Sequence, residues 1–354
     1  MKKIVLTGGG TAGHVTPNLA ILPYLKKHFN EIYYIGSTNG IEEKLVKDKK
    51  VTFYGINPTK LIRGFNLKNL LIFYKLLKSV NDAKKILSDI KPNVVFSMGG
   101  FVGLPVTIAA KKLKIPVVIH ESDLTLGLAN KISTNYADKL LTTFLETAKG
   151  RKNAEFVGAI VRDELFTVTK LEGLRYYGFS GKKPIILVTG GSQGARAINN
   201  AIISILPNLL KDYNVLHLVG KNNLTNVEFE GYKQVEFTDM KYAYACCDYA
   251  VSRAGSNTAF ELITLNIPTL FIPLPKGNSR GDQVDNAKFF TKNGLCYTLF
   301  EQDITPKNLQ NAILNLVLNE KEIKQNIINL KYPVANSKII KILNKYWHIL
   351  SYII

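Results

Sequence analysis

Three apolar segments run directly into the pattern Gly-Gly-x-x-Gly: Gly9-Gly10-Thr11-Ala12-Gly13, Gly99-Gly100-Phe101-Val102-Gly103 and Gly190-Gly191-Ser192-Gln193-Gly194. Glycine lets backbone N–H groups close on an anion that a following helix N-terminus already attracts, so each loop is a candidate phosphate cradle. A lone loop of this kind is as often an ordinary tight turn. Two of the three lie far apart and open similar strand–loop–helix units, which points to two nucleotide-fold halves facing one another. His14 follows the first loop, and a further helix start reads Gly255-Ser256-Asn257-Thr258 with Glu261 one turn on. The chain contains no Asp-x-Asp pair, so the usual metal–diphosphate clamp has no obvious residues, and neither metal nor other cofactor is expected.

Those loops need strands behind them and helices after them. Strands are expected at 3–7, 32–36, 52–56, 94–98, 116–120 and 140–144, alternating with helical stretches in the βαβ pattern of a parallel sheet. The alternation restarts at 185–189 and continues at 215–219, 235–237, 249–252, 269–273 and 296–299. The break falls near Val157-Gly158-Ala159-Ile160-Val161-Arg162, where a short strand gives way to a linker. Residues 337–354 read as a helix that either half can receive. The expected organisation is therefore an α/β chain of two domains, residues 1–158 and 159–337, which suits a length of 354 residues.

Composition narrows the class. An apolar share of 46% is that of a globular protein, and no run approaches the ~18 apolar residues of a membrane span. The apolar run near the N-terminus is too short for a signal peptide. Cys246 and Cys247 are adjacent and Cys296 stands alone, with no C-x-x-C pair, which reads as structural thiols of a cytosolic protein. The formal net charge of +19 points to an anionic partner. Nucleic acid is not expected, because the lysines are scattered and no helix-turn-helix, zinc-finger or aromatic-basic signature occurs. In residues 67–80, Lys68, Lys75, Lys78 and Ser79 gather on one arc at helical spacing while apolar groups cover most of the rest. Such a helix can bury one side and offer the other to lipid, its lysines meeting anionic headgroups.

The runs Thr7-Gly8-Gly9-Gly10-Thr11-Ala12-Gly13-His14-Val15-Thr16-Pro17 and Gly190-Gly191-Ser192-Gln193-Gly194-Ala195-Arg196 carry a resemblance. So do His120-Glu121-Ser122-Asp123 leading to Gly127-Leu128-Ala129-Asn130-Lys131, and Arg253-Ala254-Gly255-Ser256-Asn257-Thr258 leading to Glu261. From Lys3 to about Ala287 the chain closely resembles the MurG family, within glycosyltransferase family 28. The resemblance implies a GT-B fold, two Rossmann-like domains with the active site in the cleft and the last helix, residues 338–354, returning to the N-terminal domain. It implies inverting transfer of N-acetylglucosamine from UDP-GlcNAc to the 4-hydroxyl of undecaprenyl-pyrophosphoryl-MurNAc-pentapeptide. The implied place of work is the cytoplasmic face of the cell membrane, held peripherally on anionic lipids.

Within that resemblance His14 is the candidate base for the incoming hydroxyl, kept neutral by the positive end of the helix it opens. Asp123, where the family often carries Asn, either assists it or binds the acceptor sugar. Thr11, Ala12 and Gly13 are implied in substrate binding, and Gly99, Gly100 and Gly103 are left for the acceptor's pyrophosphate. The UDP diphosphate is to be met by Ser192, Gln193 and Gly194 and by Ser256, Asn257 and Thr258. Glu261 suits a bidentate grip on both ribose hydroxyls, against the plainer reading of an acid favoured by a helix N-terminus. Arg162 matches an arginine that reaches the donor, although Ala159-Ile160 stands where the family usually has Asn-Pro. Gln283, with Asp282 beside it, matches a glutamine that recognises the GlcNAc hydroxyls, and the uracil is expected against the segment that begins at Phe237.

Two other classes stay open on sequence alone. Gly8, Gly10 and Gly13 satisfy the dinucleotide fingerprint, but that fold wants an acid ending the second strand, and here Ile35-Gly36-Ser37-Thr38 ends it with Glu42 and Glu43 only later. A GT-B transferase acting on a diacylglycerol-type acceptor is the nearer alternative, and a non-enzymatic basic membrane scaffold the more distant one.

Overall fold

The computed structural model describes residues 1–59, 68–191, 193–277 and 280–351, and the side chains of 68–71 and 347–351 lie outside that description. The chain divides into two compact units, Met1–Val161 with Pro333–Ile354, and Arg162–Tyr332.

The first unit is built on a parallel sheet of seven strands. They are β1 (Lys3–Thr7), β2 (Glu31–Ser37), β3 (Thr52–Ile56), β4 (Val94–Ser97), β5 (Val117–Glu121), β6 (Lys139–Thr142) and β7 (Ala154–Phe156), in the order β3-β2-β1-β4-β5-β6-β7. The twofold period of a strand sends alternate residues to opposite faces. Thus Ile4 and Leu6 of β1 join a core with Phe96, Leu25, Ile339 and Leu343, while Val5 joins another with Val95, Val106, Ala83 and Leu87. The helix Asn336–Ser351 thereby belongs to the first unit. Its first residue clamps Val161 from both sides: Asn336 Nδ2 donates to the Val161 carbonyl at 2.7 Å, and Val161 N–H donates to Asn336 Oδ1 at 3.3 Å. Next to this clamp Ala159 N–H donates to the Pro333 carbonyl at 2.9 Å and Ala335 N–H to the Ala159 carbonyl at 2.7 Å.

The helix Lys68–Ile90 lays Val80, Ala83, Leu87 and Ile90 on the second of these cores. Its described N-terminal turns expose Phe73 (58%), Tyr74 (68%) and Leu77 (41%), flanked by exposed Lys75 and Lys78. One member of the expected arc changes, and packing selects which apolar residues face outward. Ser79 is buried, its hydroxyl donating to the Asn57 carbonyl at 2.8 Å, and Leu76 packs against the core, so the outward apolar residues are its neighbours. Leu67 lies outside the described residues.

The second unit holds six parallel strands: β8 (Ile185–Thr189), β9 (Asn214–Leu218), β10 (Tyr232–Val235), β11 (Tyr249–Ser252), β12 (Thr269–Phe271) and β13 (Tyr297–Thr298), ordered β10-β9-β8-β11-β12-β13. Strands β8, β9, β11 and β12 are buried throughout, so apolar residues occupy both faces instead of alternating, with His217 of β9 among the buried polar exceptions. The edge strand β10 lacks that run and forms at 232–235, earlier than the 235–237 expected, because its register follows β9. Buried His217 ties these layers together, its Nδ1 3.0 Å from the Tyr232 hydroxyl and its Nε2 3.1 Å from Asn199 Oδ1. Cys246, Cys247 and Cys296 are free and buried, and burial pushes the Cys246 and Cys296 thiols up to about 12.

Candidate active site

In the first unit β1 delivers the chain into Gly8-Gly9-Gly10, and residues Ala12–His14 form one 3₁₀ turn before the five-residue helix Thr16–Ala20. His14 therefore closes a short turn and does not open a long helix. Thr11 addresses its ring, with Oγ1 2.8 Å from Nδ1. The second loop, between β4 and the helix Gly100–Lys112, packs on the first. A Cβ on Gly100 would lie 2.5 Å from the Gly9 carbonyl oxygen and 3.5 Å from the His14 ring, so only glycine allows the two loops this approach. Gly99 N–H donates to Ser97 Oγ at 3.0 Å, and a Cβ on Gly103 would meet the same Oγ at 2.5 Å.

Asp123 reaches this group through two residues that sequence reasoning passed over. Glu121, 4% exposed at the end of β5, accepts from Asp123 N–H at 3.1 Å through Oε1. Its Oε2 accepts from Gly127 N–H at 2.9 Å and from Asn130 Nδ2 at 3.0 Å. Asn130 in turn sits directly behind Gly99, its Oδ1 2.3 Å from where a Cβ there would be. Thus Thr11, His14, Gly99, Gly100 and Asp123 belong to one packed constellation, with buried carboxyl and amide groups behind its loops. Beside it His120 is fully buried, and burial pushes its imidazole down to about 3, so it stays neutral.

The first glycine loop has a carboxyl partner of its own. Glu42 reaches back from the helix Ile41–Lys47, accepting from Ser37 N–H at 2.8 Å and Gly10 N–H at 3.3 Å. On sequence this acid comes only after the end of the second strand, too late for the ribose contact of the dinucleotide fold, and nothing there links it to the loop. It is wholly enclosed and turned back onto the amides of Ser37 and Gly10, so it does not stand at the end of β2 where the dinucleotide fold needs its acid.

In the second unit the helix Ser256–Thr264 starts at Gly255 with no side-chain cap, so Ser256, Asn257 and Thr258 supply its first-turn N–H groups. Glu261 is the sixth residue of that helix, beyond the turn where the dipole favours an acid. Arg162 grips it bidentately, Nε to Oε1 at 2.7 Å and Nη2 to Oε2 at 3.0 Å, and the buried Tyr244 hydroxyl donates to Oε2 at 3.3 Å. Of the third loop, Ser192 lies outside the described residues and Gln193 is exposed. Gly194 packs against the Val219 carbonyl, whereas a Cβ on Gly191 or Gly255 would meet nothing within 4 Å. Phe237 stands 58% exposed just past β10. Gln283 accepts from Leu274 N–H at 3.0 Å through Oε1, and Asp282 pairs with Arg280 at 3.4 Å. Arg162, Glu261 and Tyr244 are thus brought together.

Residues 4–142 match the glycosyltransferase family 28 N-terminal domain and residues 185–339 the glycosyltransferase family 28 C-terminal domain. A UDP-N-acetylglucosamine–N-acetylmuramyl-(pentapeptide) pyrophosphoryl-undecaprenol N-acetylglucosamine transferase of Clostridium botulinum (strain Alaska E43 / Type E3) is 44% identical over 349 residues, 97% of this chain and 98% of its own. The protein of the same name from Clostridium tetani is 43% identical over 352 residues, 98% of each chain. Among solved structures, MurG of Acinetobacter baumannii superposes with a TM-score of 0.75 at 26% identity, covering 98% of this chain and 100% of that one. The calicheamicin glycosyltransferase CalG4, 11% identical with a TM-score of 0.69 over 98% of each chain, shares the fold alone. These matches bear out the GT-B class, and with both domains found in order and relatives this similar along nearly the whole length, the chain belongs to glycosyltransferase family 28, in its MurG group of N-acetylglucosamine transferases.

Proposed function

We propose that this protein moves N-acetylglucosamine from UDP-GlcNAc to the 4-hydroxyl of undecaprenyl-pyrophosphoryl-MurNAc-pentapeptide, forming the lipid-linked disaccharide of peptidoglycan synthesis. The observation that carries this is the 44% identity, over 97% of the chain, to a transferase named for that donor and acceptor. In the reaction the bond from the anomeric carbon to the UDP oxygen breaks, a bond to the acceptor oxygen forms on the opposite face, and the acceptor's proton needs a base. His14 is that base: in the tautomer whose Nδ1–H donates to Thr11 Oγ1, 2.8 Å away, the lone pair that takes the new proton is on Nε2. Asp123 binds the acceptor sugar, Thr11, Ala12 and Gly13 line its path, and Gly99, Gly100 and Gly103 face its pyrophosphate.

The donor belongs to the second unit. Ser192, Gln193 and Gly194 with Ser256, Asn257 and Thr258 meet the diphosphate, so that amides and hydroxyls receive the charge that develops on departing UDP. Glu261 takes the ribose hydroxyls, Arg162 holds that carboxylate in line, Phe237 covers the uracil, and Gln283 with Asp282 reads the sugar. An anchored acceptor also demands a surface-seeking enzyme. Exposed Phe73, Tyr74 and Leu77 beside Lys75 and Lys78 support peripheral binding to anionic lipid at the cytoplasmic face of the membrane. Among the described residues no helix is long and apolar enough to cross a membrane.

The test is transfer of radiolabelled GlcNAc from UDP-GlcNAc to a short-chain analogue of the lipid-linked muramoyl pentapeptide, with diacylglycerol as the competing acceptor and EDTA in a parallel arm. Labelled disaccharide, undiminished by EDTA, is the expected result. Label on diacylglycerol alone would transfer the assignment to the other acceptor class. Loss in EDTA that Mg²⁺ restores would overturn the metal-free account of the leaving group.

A further inference from the structure

Glu42 plays no part in the chemistry above, yet its side chain is wholly enclosed (0% exposed). Its carboxyl oxygens accept from Ser37 N–H at 2.8 Å and from Gly10 N–H at 3.3 Å, and no ion pair with a described residue accompanies them. Burying such a group costs free energy that two amide donors only partly offset. The surrounding chain is shaped to admit it. A Cβ on Gly9 would lie 2.5 Å from Oε1, one on Gly36 2.7 Å from Cγ, and one on Gly40 2.6 Å from Cδ. Three glycines, from the loop after β1, from β2 and from the turn that follows it, surround a single side chain.

We propose that Glu42 is a positioning residue for the first glycine loop and, through that loop, for His14. Gly10, which it holds, is followed directly by Thr11, whose hydroxyl lies 2.8 Å from His14 Nδ1. Gly9, which it faces, presents its carbonyl to Gly100 of the second loop, against which the His14 ring also lies. A displacement at Gly10 therefore moves the Thr11 hydroxyl, the imidazole and the contact between the two loops together. The first loop is in this respect a mount and not an open cradle, since its Gly10 amide is already engaged by an internal carboxyl group. The catalytic consequence rests on the reading of His14 as base, whereas the positioning itself does not.

The experiment compares Glu42→Gln with the parent by imidazole ¹⁵N–¹H correlation spectra, the His14 signals being identified by their loss in His14→Gln, together with steady-state kinetics. Gln keeps the shape but turns an NH₂ toward one of the two amides, leaving that amide without an acceptor. The expected result is a shift of the His14 ring signals and a kcat reduced tenfold or more, with KM for UDP-GlcNAc within twofold. Gly9→Ala, which leaves the carboxyl in the chain but takes its seat, gives the same pattern. Unmoved His14 signals in folded Glu42→Gln, or parallel losses in kcat and donor binding, overturn the proposal. Full activity of His14→Gln would instead remove the base assignment, and the spectra alone would then decide the role of Glu42.

Discussion

Replacing Glu261 by Ala separates the pairing of its carboxylate with Arg162 from the ribose grip proposed for it. Arg162 and Glu261 form a bidentate pair whose side chains are 25% and 9% exposed. Removing one partner of a buried pair costs ~3–5 kcal/mol. Glu164, 3.5 Å from Arg162 Nη1, offers a substitute partner, which places the loss near the lower end, ~3 kcal/mol. That term appears in unfolding of the second unit. The other term appears in binding: each charge-assisted hydrogen bond to the ribose is worth ~1.5–3 kcal/mol, or roughly 10- to 150-fold in Kd. Calorimetric titration at 25 °C with UDP and with 2′-deoxy-UDP reads the second term free of the first as long as the unit stays folded. The parent is expected to prefer UDP, and Glu261→Ala to bind both nucleotides equally and weakly. An unchanged Kd and an intact preference for UDP, alongside a lowered unfolding midpoint, would make Glu261 merely the structural partner of Arg162 and refute the ribose assignment.

His14→Ala is expected to lower kcat by ~10²- to 10⁴-fold with donor affinity unchanged, read from single-turnover transfer and UDP titration; a rise in acceptor KM alone would make it a binding residue. Changing Phe73, Tyr74 and Leu77 to Ser and Lys75 and Lys78 to Glu should abolish sedimentation with anionic vesicles, each lysine contributing ~1 kcal/mol, while activity on a water-soluble acceptor persists. Undiminished vesicle binding would place the membrane contact elsewhere. Acid should weaken both units, because burial holds His120 at about 3 and His217 at about 4 in the folded state. The unfolded chain takes up these protons first, so stability is lost as pH falls below ~6.5, by ~2 kcal/mol per histidine on reaching pH 5. Urea midpoints followed by circular dichroism check this, and a flat profile between pH 7 and 5 would contradict it.

The parts of this molecule legible in its sequence are those whose causes are local. An apolar run followed by Gly-Gly-x-x-Gly marks β1, β4 and β8 because a parallel strand buried on both faces and the turn that leaves it are adjacent in the chain. The supports of the site are different in kind. Glu42 works on Gly10, Glu121 on Asp123 and Gly127, and Arg162 on a carboxylate 99 residues away, and a lone acid in a sequence does not announce which amides it will meet. Lys75 and Lys78 do lie exposed on the helix that begins at Lys68, but whether Leu76 or Leu77 faces outward depends on a rotation of one residue that only packing against the sheet decides.

The clamp of Asn336 on Val161 has a consequence for how the protein comes into being. The chain leaves its first unit at Val161 and re-enters it at Pro333, so the second unit is an insertion into the first. A ribosome therefore makes most of the first fold, then the whole of the second, and only then the helix that seals the first. Until that moment the places of Ile339, Ile340 and Leu343 in the first core stand empty. At ~1.5–3 kcal/mol for each buried side chain, what is missing amounts to ~5–9 kcal/mol, comparable with the net stability of an ordinary domain. The nascent first unit thus waits, incomplete and with apolar surface uncovered, until the segment that follows the second unit has been made. A premature stop codon between Tyr332 and Asn336 would leave the second unit whole and the first unsealed.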